Sequence, residues 1–111
     1  NDIDKAISLF VRKKYDSLFT ASKIKDFFTW TKKNNKILPE YPELKKRKRR
    51  QDMKDLYLEN GSFYIFNKDE FLKTKERLFG KIGVYEMSKI HSFEIDDKID
   101  TKIVNSLKKF F

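Results

Sequence analysis

The chain contains no cysteine among its 111 residues, which excludes disulfide bonds and thiolate metal sites. It has no signal-peptide pattern, and no apolar run approaches the roughly 20 residues that a membrane-spanning helix needs. Glycine is scarce as well, and the three glycines, Gly61, Gly80 and Gly83, form no phosphate-cradling cluster. We therefore expect no membrane span and no nucleotide-binding loop in this chain.

Charge and aromatic side chains are what the chain has in excess. Its 26 Lys and Arg outnumber 17 Asp and Glu, which gives a net charge of +9 and favours an anionic partner. Eleven Phe and five Tyr need a packed interior, so a disordered chain is excluded. The length suits one domain with a modest core. Because the chain starts without Met and directly in a helical pattern, we expect it to be a fragment of a longer protein.

Apolar spacing predicts an alternation of helices and strands, which indicates an α/β fold. Helical spacing with an N-terminal cap predicts a helix over 2–14, and short apolar runs predict strands. The elements expected after that helix are a strand in DSLFTASKI, a hairpin arm, a strand in LYLENGSFYIFN, a helix in NKDEFLKTKERLF, a strand in GKIGVYEM, a short extended piece in HSFEI and a final helix in DDKIDTKIVNSLKKFF.

The segment 26–50 differs from the rest and reads as an arm that leaves the compact body. Aromatic and polar residues alternate around KKNNK, which predicts a hairpin with Asn34 and Asn35 at its tip. Six consecutive cations, KKRKRR at 45–50, follow two prolines. This run has three interpretations: a solvated loop, a nucleic-acid or nuclear-import signal, or a site for a small anion onto which a guanidinium forks. No recognition-helix or RNA-motif signature supports the second.

Four motifs in register resemble one enzyme family. RRQDM, YLENGSFYIFN, KIGVYEM and SFEIDDKID resemble, in order and spacing, the C-terminal half of the acylneuraminate cytidylyltransferases, the CMP-sialic acid synthetases. The resemblance covers nearly the whole chain and makes 1–111 the C-terminal part of a cytidylyltransferase domain. It implies a Rossmann-like nucleotide-sugar transferase sandwich whose β-hairpin dimerisation extension corresponds to 26–50.

The resemblance also implies a function. The family transfers CMP from CTP to a nine-carbon α-keto acid sugar and releases pyrophosphate, assisted by Mg²⁺. This chain would supply the sugar-binding, metal-binding and dimerising half of such a homodimeric enzyme of bacterial surface-polysaccharide synthesis. Apart from the resemblance, a cytoplasmic location is the default expectation. Catalytic residues of the nucleotide loop are absent, so the fragment alone should be inactive. The alternatives are a basic nucleic-acid-binding module that uses 45–50 and an inactive dimerisation remnant.

The family's motifs assign candidate residues. Arg50 and Gln51 match its Arg-Gln pair at the sugar site, where Arg50 can fork onto the sugar carboxylate. Asn60 and Gly61 match its Asn-Gly, where glycine permits close approach and the amide can bond a sugar substituent; a β-bulge or tight bend is the structural alternative. Lys23 or Lys25 is a further, looser match to the substrate site.

Two acids are the candidate Mg²⁺ ligands. Glu94 and Asp96 match the family's acid pair, although Glu94 replaces the usual Asp. Residues i and i+2 of an extended segment share a face, and Mg²⁺ prefers such hard oxygen ligands. The alternative is helix capping, because Asp96 or Asp97 precedes the final helix and Asp100 lies in its first turn. The lone histidine, His91, lacks a triad partner in sequence and is interpreted as structural.

Overall fold

The computed structural model describes residues 1–24, 29–40, 50–52 and 55–111, with the side chain of Arg50 left out. The chain divides into two compact units, one made of Asn1–Lys23 with Tyr57–Phe111 and the other of Ile24–Leu56. The helices are α1 (Asp2–Arg12), α2 (Lys68–Thr74) and α3 (Lys98–Leu107), and the strands are β1 (Ser17–Ile24), β2 (Trp30–Lys33), β3 (Lys36–Pro39), β4 (Leu56–Phe66) and β5 (Ile82–Glu86). Short 3₁₀ turns lie at Arg50–Asp52, Lys89–His91 and Lys108–Phe110.

Helix α1 forms where its cap and charges predict it. The Asn1 side chain accepts a hydrogen bond from the Asp4 N–H at 3.0 Å, and acids occupy the first turn while Arg12 occupies the last. Ala6 is fully buried and marks the face that packs on the sheet. The helix ends at Arg12 rather than residue 14, because Lys14 has a positive φ of 56° that a right-handed helix does not allow.

Strand β1 is the centre of a three-stranded sheet in the described part of the first unit, with the order β4-β1-β5. It pairs in parallel with β5, from Ser17 opposite Ile82 to Ala21 opposite Glu86. On its other side β4 runs antiparallel, since contacts with β1 advance in opposite directions along the two strands: Asn67 bonds the Asp16 carbonyl and Phe63 bonds the Thr20 hydroxyl. The expectation of a mixed α/β fold is therefore confirmed.

The core of this unit is built on β1. Its buried apolar residues are Leu18 and Ala21, which join Ala6 of α1. The buried polar residues, Ser17, Thr20, Ser22 and Asn60, lie in or beside the same strand. Within the described residues, no buried side-chain nitrogen or oxygen lacks a hydrogen-bond partner. A polar core of this kind is stable only when its members are paired, so these bonds determine how the strands are positioned.

The second unit contains the predicted hairpin. Strands β2 and β3 are antiparallel, with Trp30 opposite Pro39 and Lys33 opposite Lys36. Asn34 and Asn35 form the tip with positive φ values of 51° and 63°, which is the geometry that a two-residue type I′ turn requires. The hairpin at this position is confirmed. Its role as a dimerisation arm stays a prediction.

Two predicted elements differ from the observed ones. Helix α2 was expected to fill NKDEFLKTKERLF but ends at Thr74, where Lys75 turns left-handed at φ 59° and the Thr74 hydroxyl accepts the Glu76 N–H at 3.2 Å. The expected extended piece HSFEI is not a strand: His91 closes a 3₁₀ turn, and 92–96 have no regular structure. Two backbone bonds close the turn, from the His91 N–H to the Ser88 carbonyl at 3.0 Å and from the Ser92 N–H to the Lys89 carbonyl at 3.1 Å. Ser92 Oγ also donates to the Ser88 carbonyl, at 2.9 Å. Among the described helices none is long and apolar enough to cross a membrane.

Candidate functional site

The predicted site begins at a bend in β4. Gly61 has a φ of +66°, a left-handed conformation that side-chain-bearing residues rarely adopt, and its neighbour Asn60 is buried with only 4% of its surface exposed. The flanking residues of the strand, Glu59 and Ser62, are exposed. The positive φ thus interrupts the regular pleat at one residue and turns the strand there.

The Asn60 amide is fully engaged inside the chain. Its Oδ1 accepts the Thr20 hydroxyl at 2.5 Å and the Ser62 N–H at 3.1 Å. Its Nδ2 donates to Ser92 Oγ at 3.0 Å and lies 3.6 Å from Met87 Sδ. An amide has two acceptor positions and two donor hydrogens, so these four contacts use its capacity. The bend and the amide therefore connect β1, β4 and the turn at 88–92.

The bend also brings together side chains that a straight strand would separate. In a regular strand, residues five apart point to opposite faces and lie about 16 Å apart. Tyr64 nevertheless donates a short hydrogen bond from its hydroxyl to Glu59 Oε1. Gly61 lies between the two residues, and its positive φ bends the strand at that point. The bend therefore accompanies a contact that a regular pleat would not allow.

The first predicted metal ligand meets this bend. Glu94 Oε1 lies 3.3 Å from the point that a β-carbon on Gly61 would occupy, so the absence of a side chain at Gly61 makes room for the carboxylate. Glu94 itself is exposed. Gly61 and Glu94, which the sequence assigned separately to sugar and metal, are therefore neighbours in the fold.

The second predicted ligand, Asp96, lies beside the cap of α3. The cap itself is Asp97, whose Oδ1 accepts the Asp100 N–H at 2.9 Å, while Asp100 Oδ2 accepts the Asp97 N–H at 3.2 Å. Asp96 contributes only its backbone N–H, which donates to Asp100 Oδ2 at 3.0 Å. The capping role that was the alternative for this acid therefore belongs to Asp97 and Asp100. The exposed Asp96 carboxylate is not used by the cap.

The donor chemistry of Glu94 and Asp96 fits Mg²⁺. Both are exposed carboxylates, and Mg²⁺ binds through one or two carboxylates while it keeps several waters and substrate oxygens. In residues 1–24, 29–40, 50–52 and 55–111, no group of three or more His, Cys, Asp or Glu side chains could hold a metal ion. A metal here would therefore depend on water or substrate oxygens for the rest of its shell.

The predicted arginine-glutamine pair lies in the other unit. Arg50 and Gln51 begin the 3₁₀ turn Arg50–Asp52, and the Gln51 side chain is exposed. The cations at 45–49 and Lys25 lie outside the described residues, as does the Arg50 side chain. Lys23 belongs to the first unit, where its Nζ lies 6.0 Å from the ring centroid of Tyr57. The positions of these cations relative to the Gly61 bend stay predictions.

Tyr64 and Arg77 complete the surroundings of the bend, and the sequence motifs did not identify them. The Arg77 guanidinium lies over the Tyr64 ring, 4.4 Å from its centroid. The hydrogen bond to the Glu59 carboxylate raises the pKa of Tyr64 above 10.0, helped by partial burial and the charge of Glu59; Arg77 opposes the shift, and Glu94 adds to it slightly. One tyrosine thus lies within electrostatic range of two carboxylates and one guanidinium.

A signal for part of this arrangement existed in the sequence. Thr20 is a polar residue in the middle of the apolar run SLFTASKI, and a buried hydroxyl needs a partner. Asn60 is that partner, and Ser92 is the next member of the same hydrogen-bonded series. Arg77 had no such signal, because its position depends on where α2 ends.

Comparison with known proteins supports the family resemblance. Over 100 residues the chain is 29% identical to the N-acylneuraminate cytidylyltransferase of Streptococcus agalactiae serotype V and 28% identical to that of serotype III, in each case 90% of this chain and 22% of the relative. It is also 39% identical over 61 residues to the post-translational flagellin modification protein B of Campylobacter coli, which is 54% of this chain and 26% of that protein. No protein-family model matches the chain.

These matches confirm the predicted resemblance: the chain is similar to N-acylneuraminate cytidylyltransferases over 90% of its length. It spans about a fifth of the length of those relatives, 22%. The relatives carry a nucleotidyltransferase name, and the coarse class read from the motifs agrees with it.

Proposed function

We propose that this chain is the sugar-binding, metal-binding and dimerising part of a CMP-sugar synthetase. In this proposal the intact protein transfers CMP from CTP to a nine-carbon α-keto acid sugar and releases pyrophosphate. In the same proposal its sheet is part of a Rossmann-like sandwich, the arm at 26–50 joins two copies, and the location is cytoplasmic. The similarity to named cytidylyltransferases supports the reaction class.

The observation that carries the proposal is the contact between Gly61 and Glu94. Two residues that the family's motifs assign to sugar and metal, more than thirty positions apart in the sequence, lie against each other in one unit of the fold. A chance match of motifs does not require such proximity. The neighbouring Asn60 acts through position: its bond to Ser92 anchors the segment that leads to Glu94 and Asp96.

The residues have distinct roles in this mechanism. Mg²⁺, held through Glu94 and Asp96, would neutralise charge on the phosphates of CTP. Gly61 leaves space for the Glu94 carboxylate, which a side chain at this position would crowd. Arg50 binds the carboxylate of the sugar and Gln51 its hydroxyls.

The test is pyrophosphate release from CTP with Mg²⁺ and a panel of nine-carbon keto-acid sugars. It is run on this chain alone and on the chain joined to the remainder of its protein. We expect turnover only in the joined protein and none in the isolated chain. In the joined protein, Asp96→Ala should abolish turnover. The matched control Glu76→Ala, which removes an exposed acid in the loop after α2, should retain it. Absence of turnover in both, together with salt-sensitive binding to nucleic acid, would overturn the proposal in favour of a basic binding module.

A further inference from the structure

Arg77 contacts Tyr64, which lies three residues after Gly61 on β4. Its guanidinium carbon lies over the Tyr64 ring, 4.4 Å from the ring centroid. Among the described residues it makes no ion pair within 4.0 Å, although Glu59 is bonded to the same tyrosine. The side chain is exposed, so its N–H groups are accessible to a ligand in solution.

Tyr64 provides the aromatic face over which this guanidinium lies. The tyrosine hydroxyl is in turn bonded to Glu59, on the other side of Gly61 in β4. A guanidinium stacked on an aromatic face keeps its edge, with its five N–H donors, directed away from the ring. Such an edge matches the two oxygens of a carboxylate or phosphate. Arg77, which lies over the Tyr64 ring and is exposed, is therefore a donor available to an oxyanion.

The location of this donor relates it to the candidate site. Tyr64 lies three residues after Gly61 on β4, which corresponds to about 10 Å or less along a strand that bends. Gly61 in turn contacts Glu94. An acidic sugar bound beside Gly61 spans a distance of this order. One end of the sugar can therefore lie near Glu94 while the anionic group at its other end reaches Arg77.

We propose that Arg77 is a ligand-binding residue of this site, which pairs through its guanidinium edge with an oxyanion of the substrate. This inference rests on the proposed function and deepens it by adding a recognition residue to the unit that holds Gly61 and Glu94. The oxyanion is the carboxylate of the acidic sugar or a phosphate of the nucleotide product, since both have the fork geometry.

The experiment observes the Arg77 Nε–H directly by ¹H–¹⁵N NMR on the 111-residue chain. The probes are N-acetylneuraminic acid, its methyl ester and inorganic pyrophosphate. We expect the acid to shift the Arg77 resonance and the ester, which lacks the charge, to leave it unmoved. Arg77→Gln should weaken binding of the acid about tenfold or more, and Arg77→Lys nearly as much, because an ammonium reproduces neither the stacking nor the fork.

Arg12→Gln is the matched control, because it removes an exposed arginine from α1 in the same unit. A response to pyrophosphate alone supports the oxyanion site and assigns it to phosphate. Equal binding of both the acid and pyrophosphate by Arg77→Gln and Arg12→Gln overturns the inference even if both ligands bind. No shift at Arg77 with any probe overturns it as well. The pyrophosphate-release assay on the joined protein judges the proposed function separately.

Discussion

The Asn60 amide donates a 3.0 Å hydrogen bond to the Ser92 hydroxyl, and this bond ties the bend of β4 to the segment that leads to Glu94. The Ser92 hydroxyl in turn donates a hydrogen bond to the Ser88 carbonyl at 2.9 Å. On the other side, the Asn60 oxygen accepts the Thr20 hydroxyl from the central strand. The predicted metal ligand is thus connected to the core through a single buried amide.

Asn60→Ala should lower the free energy of unfolding by about 1–3 kcal/mol, because it leaves the buried Thr20 hydroxyl and the Ser62 N–H without their acceptor. Urea unfolding measures the change. Asn105→Ala, an exposed asparagine on α3, is the matched control and should change stability by less than about 0.5 kcal/mol. Equal effects from the two variants would show that the Asn60 network does not contribute to stability.

Gly83→Ala should be destabilising for a purely steric reason. A β-carbon there would lie 2.3 Å from the ring carbons of Tyr15, which real structures do not tolerate. We expect a loss of about 1–3 kcal/mol, typical of overpacking. The double variant with Tyr15→Ala should not show the additional loss that Gly83→Ala causes in the wild-type background. A thermodynamic cycle from urea unfolding of the four proteins checks this, and additive effects would contradict it.

The elements of the fold could be predicted to a large extent from local patterns. Apolar spacing and capping residues predicted α1 and α3, and Asn34-Asn35 predicted the hairpin, because these features depend on neighbours in sequence. The prediction of an extended piece at 91–95 was wrong, since backbone bonds and the Ser92 hydroxyl close a turn over 88–92 instead. Residue types alone cannot decide between a strand and a turn when a serine side chain can bond the backbone nearby.

The site was predictable only where a motif named the residue. Gly61 and Glu94 were chosen from the motifs, but their contact arises from a positive φ at one glycine, which no pattern of hydrophobicity reports. Arg77 was missed because its position depends on the left-handed Lys75 that ends α2 early. Tertiary juxtaposition of this kind follows from the whole fold rather than from a local preference.

Tyr64 should titrate above pH 10.0, because its hydroxyl donates to the Glu59 carboxylate and ionisation would break that bond. Since the folded-state pKa is raised, the stabilisation is fully present below the unfolded pKa of about 10 and is lost as pH rises through the folded-state pKa. The difference in tyrosinate absorbance between wild type and Tyr64→Phe gives the midpoint.

Two variants test whether the raised pKa of Tyr64 comes from its hydrogen bond to Glu59: one removes the Glu59 carboxylate, and the other removes the Asp2 carboxylate that is bonded to Tyr85. Glu59→Gln should lower the Tyr64 midpoint. Asp2→Asn is the matched control, because Asp2 raises the pKa of Tyr85 through a 2.8 Å hydrogen bond and should move that tyrosine instead. If Glu59→Gln leaves the Tyr64 midpoint unchanged, the hydrogen bond is not its cause.

Asp96 and Asp97 are adjacent acids whose replacement should affect different properties: stability for Asp97 and Mg²⁺-dependent turnover for Asp96. Asp97→Ala removes the α3 cap and should lower the free energy of unfolding by about 0.5–2 kcal/mol. Asp96→Ala removes an exposed carboxylate that the cap does not use, so stability should stay within about 0.5 kcal/mol of wild type. In the protein joined to its remainder, the same Asp96→Ala change should lower Mg²⁺-dependent turnover by roughly two orders of magnitude.

Urea unfolding and pyrophosphate release on the same two variants separate the capping role from the metal role. Because the variants differ by one position in the chain, any nonspecific effect of losing a negative charge should be similar in both. Loss of turnover in Asp97→Ala that follows its loss of folded protein agrees with a capping role. If Asp96→Ala instead destabilises the chain as much as Asp97→Ala and leaves turnover intact, Asp96 is part of the helix cap, and the metal assignment fails at this residue.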